Sequence, residues 1–281
     1  MAANSTKNQP AFSSCRLYVG TSGYSYTEWA EAGFYPPGTP PAEMLALYAR
    51  CFSITELNDT WYQLPRAETV ERRRRNTPPH FLFTARLTRT LTHEIDPARW
   101  SDIAICYRDG LAPLVQAGQL AAVLVQLPPT FDRTPMHRKR LADLFDMLHG
   151  LPLAVEFRHR SWATDRVLAE LERRRIALVA VDGPDLPALF PVLYAVTNPE
   201  FFYVRFYGRN ERSFRSGKTA AQFDYNYSDE VLCDWTASRI EFLSRHARRG
   251  VLFFNNHVRA RAPDNAKSLI RILKETGMTV A

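Results

Sequence analysis

Eight short stretches of this 281-residue chain are apolar along most of their length and turn polar at their C-terminal ends. They read LYVGTSG (17–23), SITELND (53–59), FLFTARL (81–87), AAVLVQL (121–127), LAVEFRH (153–159), ALVAVDG (177–183), FYVRFYG (202–208) and VLFFNNH (251–257). Each is rich in Val, Ile, Leu and Phe, as strands are, and helix-like sequence separates it from the next. That intervening sequence predicts helices at 40–52, 66–76, 97–117, 135–149, 164–175, 186–195, 229–248 and 264–276. Prolines open the first, Thr77-Pro78-Pro79 ends the second, Gly250 follows the seventh and Asp264 caps the eighth. Pro187 and Pro191 make the sixth the weakest. Alternating strands and helices imply parallel strands joined by right-handed crossovers. Eight such units predict an α/β fold, a single (β/α)8 TIM-type barrel over residues 15–281 behind a flexible tail at 1–14. The rival, an open doubly wound sheet, lacks a GxGxxG after the first strand.

Alternation then divides each strand into two faces. In the seventh, Phe202, Val204 and Phe206 form the helix-packed face, while Tyr203, Arg205 and Tyr207 point inward. The same division places Ser22, Glu56, Asn58, Thr84, Arg86, Gln126, Glu156, Arg158, Asp182, Arg205, Tyr207 and Asn256 around the mouth. Below them lie Ile54, Leu82, Leu124, Ala154, Ala180, Leu252 and Phe254, an oily floor. Three acids (Glu56, Glu156, Asp182) and three arginines (Arg86, Arg158, Arg205) would share this space, and buried ions must pair with one another or with a ligand. Loops add Tyr24 and Trp29 as stacking candidates, with His93 and His257 as rim imidazoles.

With 36 basic against 29 acidic residues, the chain carries a formal charge of +7, a modest excess that suits an anionic partner. The run at 208–228 contributes Arg209, Arg212, Arg215 and Lys218 to that reading. The Arg72–Arg75 run is expected on an outer helix, far from the mouth. Four scattered cysteines form no CxxC, which fits free thiols in the cytoplasm. No apolar run is long enough to span a membrane, so no membrane partner is expected. Gly217-Lys218-Thr219 lacks the first glycine of a P-loop, and no G-x-S-x-G elbow occurs. No cofactor is called for. A divalent metal on Glu56, Glu156, Asp182 and His257 would face three neighbouring arginines. A glycosidase pair of Glu56 and Glu156 would leave the fourth and seventh strand ends, which carry Gln126 and Arg205, without acids.

Several motifs occur in order along nearly the whole chain: GTSGYSYTEW, FYPPG, ELNDTWYQLP, LVQLPPTF, VEFRHRSW, YVRFYGR and FFNNH. In this they resemble the YecE-like family, a widespread domain of unknown function. The resemblance implies a TIM-type barrel and no established reaction. Family members usually have Lys where this chain has Arg86, and His where it has Tyr207.

These readings converge on an enzyme, a hydrolase by default, acting on a phosphate- or carboxylate-bearing substrate, small or polymeric. Arg158 and Arg205 would clamp the anion, with Arg86 assisting. Glu156 or Glu56 would serve as base and His93 or His257 as acid, with Asp182 a further catalytic candidate. Asn58, Gln126 and Asn256 would orient the substrate. The alternative is a nucleic-acid or nucleotide-binding protein without catalysis, using the first-loop aromatics for stacking. Nothing in the sequence fixes an oligomeric state.

Overall fold

The computed structural model describes residues 15–184, 186–211 and 223–281. The expected tail at 1–14 and the cations Arg212, Arg215 and Lys218 lie outside the described residues. Nine parallel strands form one curled sheet: β1 (Arg16–Thr21), β2 (Ile54–Leu57), β3 (Leu82–Arg86), β4 (Leu120–Gln126), β5 (Leu153–Glu156), β6 (Ala177–Asp182), β7 (Phe202–Phe206), β8 (Arg249–Phe254) and β9 (Thr279–Val280). Their order is β2-β3-β4-β5-β6-β7-β8-β1-β9, so each of the first eight follows its sequence neighbour, as in TIM-like folds.

Helices cover the outer face at Pro41–Tyr48, Ala67–Arg75, Trp100–Gln116, Pro135–Met147, Asp165–Arg174 and Arg261–Glu275. The predicted 229–248 helix is a run of Asp229–Trp235, a wider turn at Thr236–Ile240, and Glu241–His246. The last helix starts at Arg261, so Asp264 stands inside its first turn rather than capping it. No helix forms over 186–195 among the described residues; Leu189 instead bridges to His159 in that proline-broken segment.

β1 and β2 meet through a few contacts rather than a ladder. At the foot, β9 pairs with β1, and Ser53, just before β2, donates to the Ala281 carbonyl at 3.1 Å. At the top, a parallel bridge links Ser22 to Glu56, and the Gly23 amide donates to the Glu56 carbonyl at 2.9 Å. Between them the Tyr48 hydroxyl accepts from the Thr21 amide at 2.8 Å and donates to the Ile54 carbonyl at 3.1 Å. Gly20 allows this approach, since a Cβ there would lie 2.3 Å from the Ile54 oxygen. Tyr48→Phe strips both backbone groups of their partner and is expected to lower stability by about 1–3 kcal/mol in urea unfolding. An unchanged midpoint would show that the seam does not depend on that hydroxyl.

Register partners fix which side chains share a face. Ile54 pairs with Leu82 and Glu56 with Thr84; Gln126 pairs with Glu156, Val181 with Arg205, and Arg205 with Phe253. The interior therefore holds Ile54, Leu82, Leu124, Ala154, Val179, Tyr203, Val251 and Phe253 as one apolar cluster. On β6 and β8 this reverses the expected faces: Ala180, Leu252 and Phe254 belong to the outer core beneath the helices. Both strands are apolar on both sides, so alternation alone cannot choose between the faces, and a one-residue slip exchanges them.

Candidate functional site at the C-terminal end of the sheet

Arg205 on β7 is the hub of the mouth. Its side chain is 1% exposed, and its two terminal nitrogens reach Glu56 Oε1 at 2.6 Å and Glu156 Oε2 at 2.8 Å. It also donates to the Gln126 amide oxygen at 3.3 Å and to the Tyr207 hydroxyl. Tyr203 donates to Glu56 Oε2 at 2.5 Å and lies 3.1 Å from Thr84 Oγ1. Tyr207 donates to Glu156 at 3.0 Å. Two fully buried carboxylates are thus held apart by one guanidinium. That guanidinium fills the gap a sugar would need, which removes the glycosidase geometry.

Two further arginines stand at the rim. Arg158 Nε is 2.7 Å from Glu156 Oε1, in contact but with its N–H not aimed at the oxygen, and the guanidinium lies 4.6 Å over the Tyr207 ring. Arg86 is different. It packs 4.4 Å over the Trp61 ring, its Nε is buried without a partner, and no carboxylate pairs with it among the described residues. Burial and then the positive charge of Arg205 push Arg86 down to about 10.

His93 lies close to these cations, edge-on to Trp61 at 5.3 Å, with Nδ1 2.8 Å from Thr92 Oγ1. Partial burial, then Arg86 and Arg158, hold its pKa down to about 4. At neutral pH it is an uncharged ring, better suited to accept a proton than to supply one. A histidine depressed from 6.5 to about 4 takes up its proton in the unfolded chain first, so its contribution to stability is lost as pH falls through that window. His93→Asn should therefore flatten part of the acid limb between those values in a stability–pH series. An unchanged slope would mean that the ring titrates alike in both states.

Several expected site residues are elsewhere. Asp182 faces the outer layer, where it accepts from Arg209 at 2.8 Å, the Tyr227 hydroxyl at 2.6 Å and Trp235 Nε1 at 2.8 Å. Asn256 also leaves the mouth: its amide donates to the Tyr225 carbonyl and to Asn265, tying a loop to the last helix. Trp29 is 0% exposed, with Nε1 on the His257 carbonyl, so it is a packing anchor rather than a stacking platform. His257 stacks on Tyr26 at 4.8 Å and meets Glu28 at 3.3 Å. Tyr24 lines a cleft of about 560 Å3 with Asn58, Asp59, Arg72 and Arg73. The Arg72–Arg75 run is thus nearer the rim than expected, since Arg73 pairs with Asp59 just beyond β2 at 2.6 Å. Asn58 keeps a buried Oδ1 with no partner among the described residues beside that cleft.

The mouth's formal charge follows from these placements. Glu56 and Glu156 oppose Arg86, Arg158 and Arg205, leaving one cation in excess where the sequence suggested balance. Among the described residues no group of three or more His, Cys, Asp or Glu could hold a metal ion, and no helix is long and apolar enough to cross a membrane.

The family described as "Protein of unknown function DUF72" matches residues 18–280. The chain belongs to this DUF72 family. It is 26% identical to the UPF0759 protein YunF of Bacillus subtilis over 271 residues, 92% of this chain and 94% of YunF. The UPF0759 protein YecE of Escherichia coli K12 is 29% identical over 147 residues, 51% of this chain and 48% of YecE. A DUF72 family structure from Thermotoga maritima MSB8 superposes with a TM-score of 0.83 at 33% identity, covering 92% of this chain and 99% of that one. The DUF72 chain thus agrees with the resemblance drawn from GTSGYSYTEW, ELNDTWYQLP and VEFRHRSW.

Sequence reasoning left two contributors unassigned. Trp61, the support of Arg86, lies within ELNDTWYQLP with nothing local to point it at β3. Tyr203 falls on the inward face, yet its role as a donor to Glu56 depends on a contact 147 residues away in sequence.

Proposed function

We propose that this DUF72 chain binds an anionic substrate, phosphate- or carboxylate-bearing, at the C-terminal end of its sheet, and hydrolyses it. The observation that carries this reading is Arg86, a half-buried guanidinium with no acid partner among the described residues, beside a self-paired Arg205–Glu156 centre. An unpaired cation in a partly desolvated rim favours an incoming anion. Arg86 and Arg158 would hold that anion. Glu156, at the Arg158 rim and in contact with the Tyr207 hydroxyl, would activate a water, and Glu56 would remain the buried counter-ion of Arg205. Neutral His93 would accept a hydrogen bond from the substrate. We read the seam bridged by Ser22–Glu56 and Tyr48 as closing the sheet into an eight-stranded barrel within one domain, which would put all these groups around one opening.

One observation favours a second reading. The cavity beside Arg158 and Tyr207 measures only about 30 Å3, and the interior charges already satisfy one another, as they would in a barrel that senses an anion without transforming it. The nucleic-acid reading is weaker, because Trp29 and Tyr35 of the first loop are buried. Turnover of a panel of phosphomonoesters and carboxylic esters separates the first two. Glu156→Gln should lower kcat by about 100-fold or more, the scale of a lost general base, while phosphate binding persists. Binding without turnover of any panel member by the wild type would leave the sensing reading.

A further inference from the structure

The opposite end of the sheet carries a second basic cavity. It measures about 660 Å3 and lies between the turn into β5, the end of the helix Asp165–Arg174 and the starts of β7 and β8. Arg173, Arg174, Arg175 and Arg249 line it, against Asp146 and Glu200. Both acids are engaged: Asp146 with Arg174 at 2.5 Å and Glu200 with Arg248 at 3.5 Å. Arg173 closes on Glu170 at 2.7 Å. Arg175 and Arg249 make no ion pair within 4 Å among the described residues, although the charge of Glu200 is felt at Arg249.

Each of these two carries a feature that internal packing does not explain. Arg249 is half-buried at the first position of β8, its guanidinium 5.9 Å from the Phe201 ring and its buried Nε without a partner among the described residues. Arg175 has φ 53 and ψ 44, the left-handed conformation that glycine usually takes at a helix C-terminus. The negative end of that helix accounts for basic residues in its last turn. It explains neither an arginine at the strained cap itself nor Arg249 on a different element.

We propose that this cavity binds a small phosphate ester, with Arg175 and Arg249 as its two anion contacts. Guanidinium forks match phosphate oxygens in pairs, and the volume is that of a site for a nucleotide or sugar phosphate. The cavity sits roughly 20 Å from the mouth, at about 3.3 Å per residue from Arg249 to Asn255. This end of TIM-like folds carries stability rather than chemistry, so the ligand acts as an effector and not as the substrate. The proposal does not depend on the function assigned to the mouth.

The test is calorimetric titration of the full chain with AMP and ribose 5-phosphate, with adenosine as the uncharged control. Saturable binding of either phosphate ester, and none of adenosine, is expected. Arg249→Gln should weaken it roughly ten- to a hundredfold, the range for a lost hydrogen bond to a charged group. Arg175→Gly should weaken binding while raising Tm, because glycine relieves the left-handed backbone. That opposition of signs separates a ligand contact from a structural role, and it stands even if Arg249→Gln fails to fold. Arg86→Gln weakens anion binding at the mouth, so titration in that background should still show the saturable binding of this second cavity. The proposal is overturned by the absence of binding, by affinity intact in Arg175→Gly, by affinity lost in Arg86→Gln, or by poly(U) displacing both esters through Arg249.

Discussion

Arg205→Met is expected to destabilise the chain by about 3–5 kcal/mol, the cost of removing one partner from a buried ion pair. Glu56 and Glu156 are both 0% exposed, and Arg205 is the cation that touches both. Methionine would fill much of the volume but would leave two carboxylates facing each other without a charge between them. Tyr203 and Tyr207 would still donate to them, which limits the loss without neutralising either group. Adding Glu56→Gln and Glu156→Gln to Arg205→Met should therefore recover much of the stability, since no fully buried charge then stands alone and Arg158, which loses its acid, reaches solvent at the rim. Urea unfolding of the single and triple variants at neutral pH gives the comparison. If the single variant matched the wild type, Arg205 could not be the organising centre of the mouth. If the triple variant stayed as unstable as the single one, lost packing rather than uncompensated charge would be the cause.

The strands and their order could be read from the sequence because each is a short apolar run ending in polar residues, a local signal. The face assignment held wherever a strand mixes polar and apolar residues in alternation, as β7 does with Tyr203, Arg205 and Tyr207 against Val204 and Phe206. It failed on β6 and β8, where Ala, Val, Leu and Phe satisfy either face, and it carried Asp182 and Asn256 into the mouth with them. What decides β6 is its register with β7, Val181 beside Arg205 and Asp182 beside Phe206, a long-range fact. The aromatic first loop misled for a related reason. Composition marks Trp29 as able to stack, but only packing against Tyr26, Phe34 and Tyr35 shows that its faces are already covered. The correction to Asp182 matters most, because it turns a balanced mouth into one with a spare cation.

Arg86→Gln tests what that spare cation does. Phosphate or sulfate affinity at the mouth should fall roughly ten- to a hundredfold, the span for losing a hydrogen bond to a charged group. Stability should stay level or rise, because Arg86 has no acid to abandon and its buried Nε is already unsatisfied. Arg86→Lys keeps the charge and should retain most of the binding. It would lose the flat stack on Trp61 and any two-pronged grip on the anion. A second readout comes from His93, which Arg86 helps to hold down at about 4. With the guanidinium gone, its pKa should move up towards the ordinary histidine range, and an NMR titration of the ring would record this whether or not an anion is present. Affinity unchanged in Arg86→Gln would remove the basis for an anionic substrate at this end of the sheet. A His93 titration that did not move would show that burial and Arg158 set the ring without Arg86.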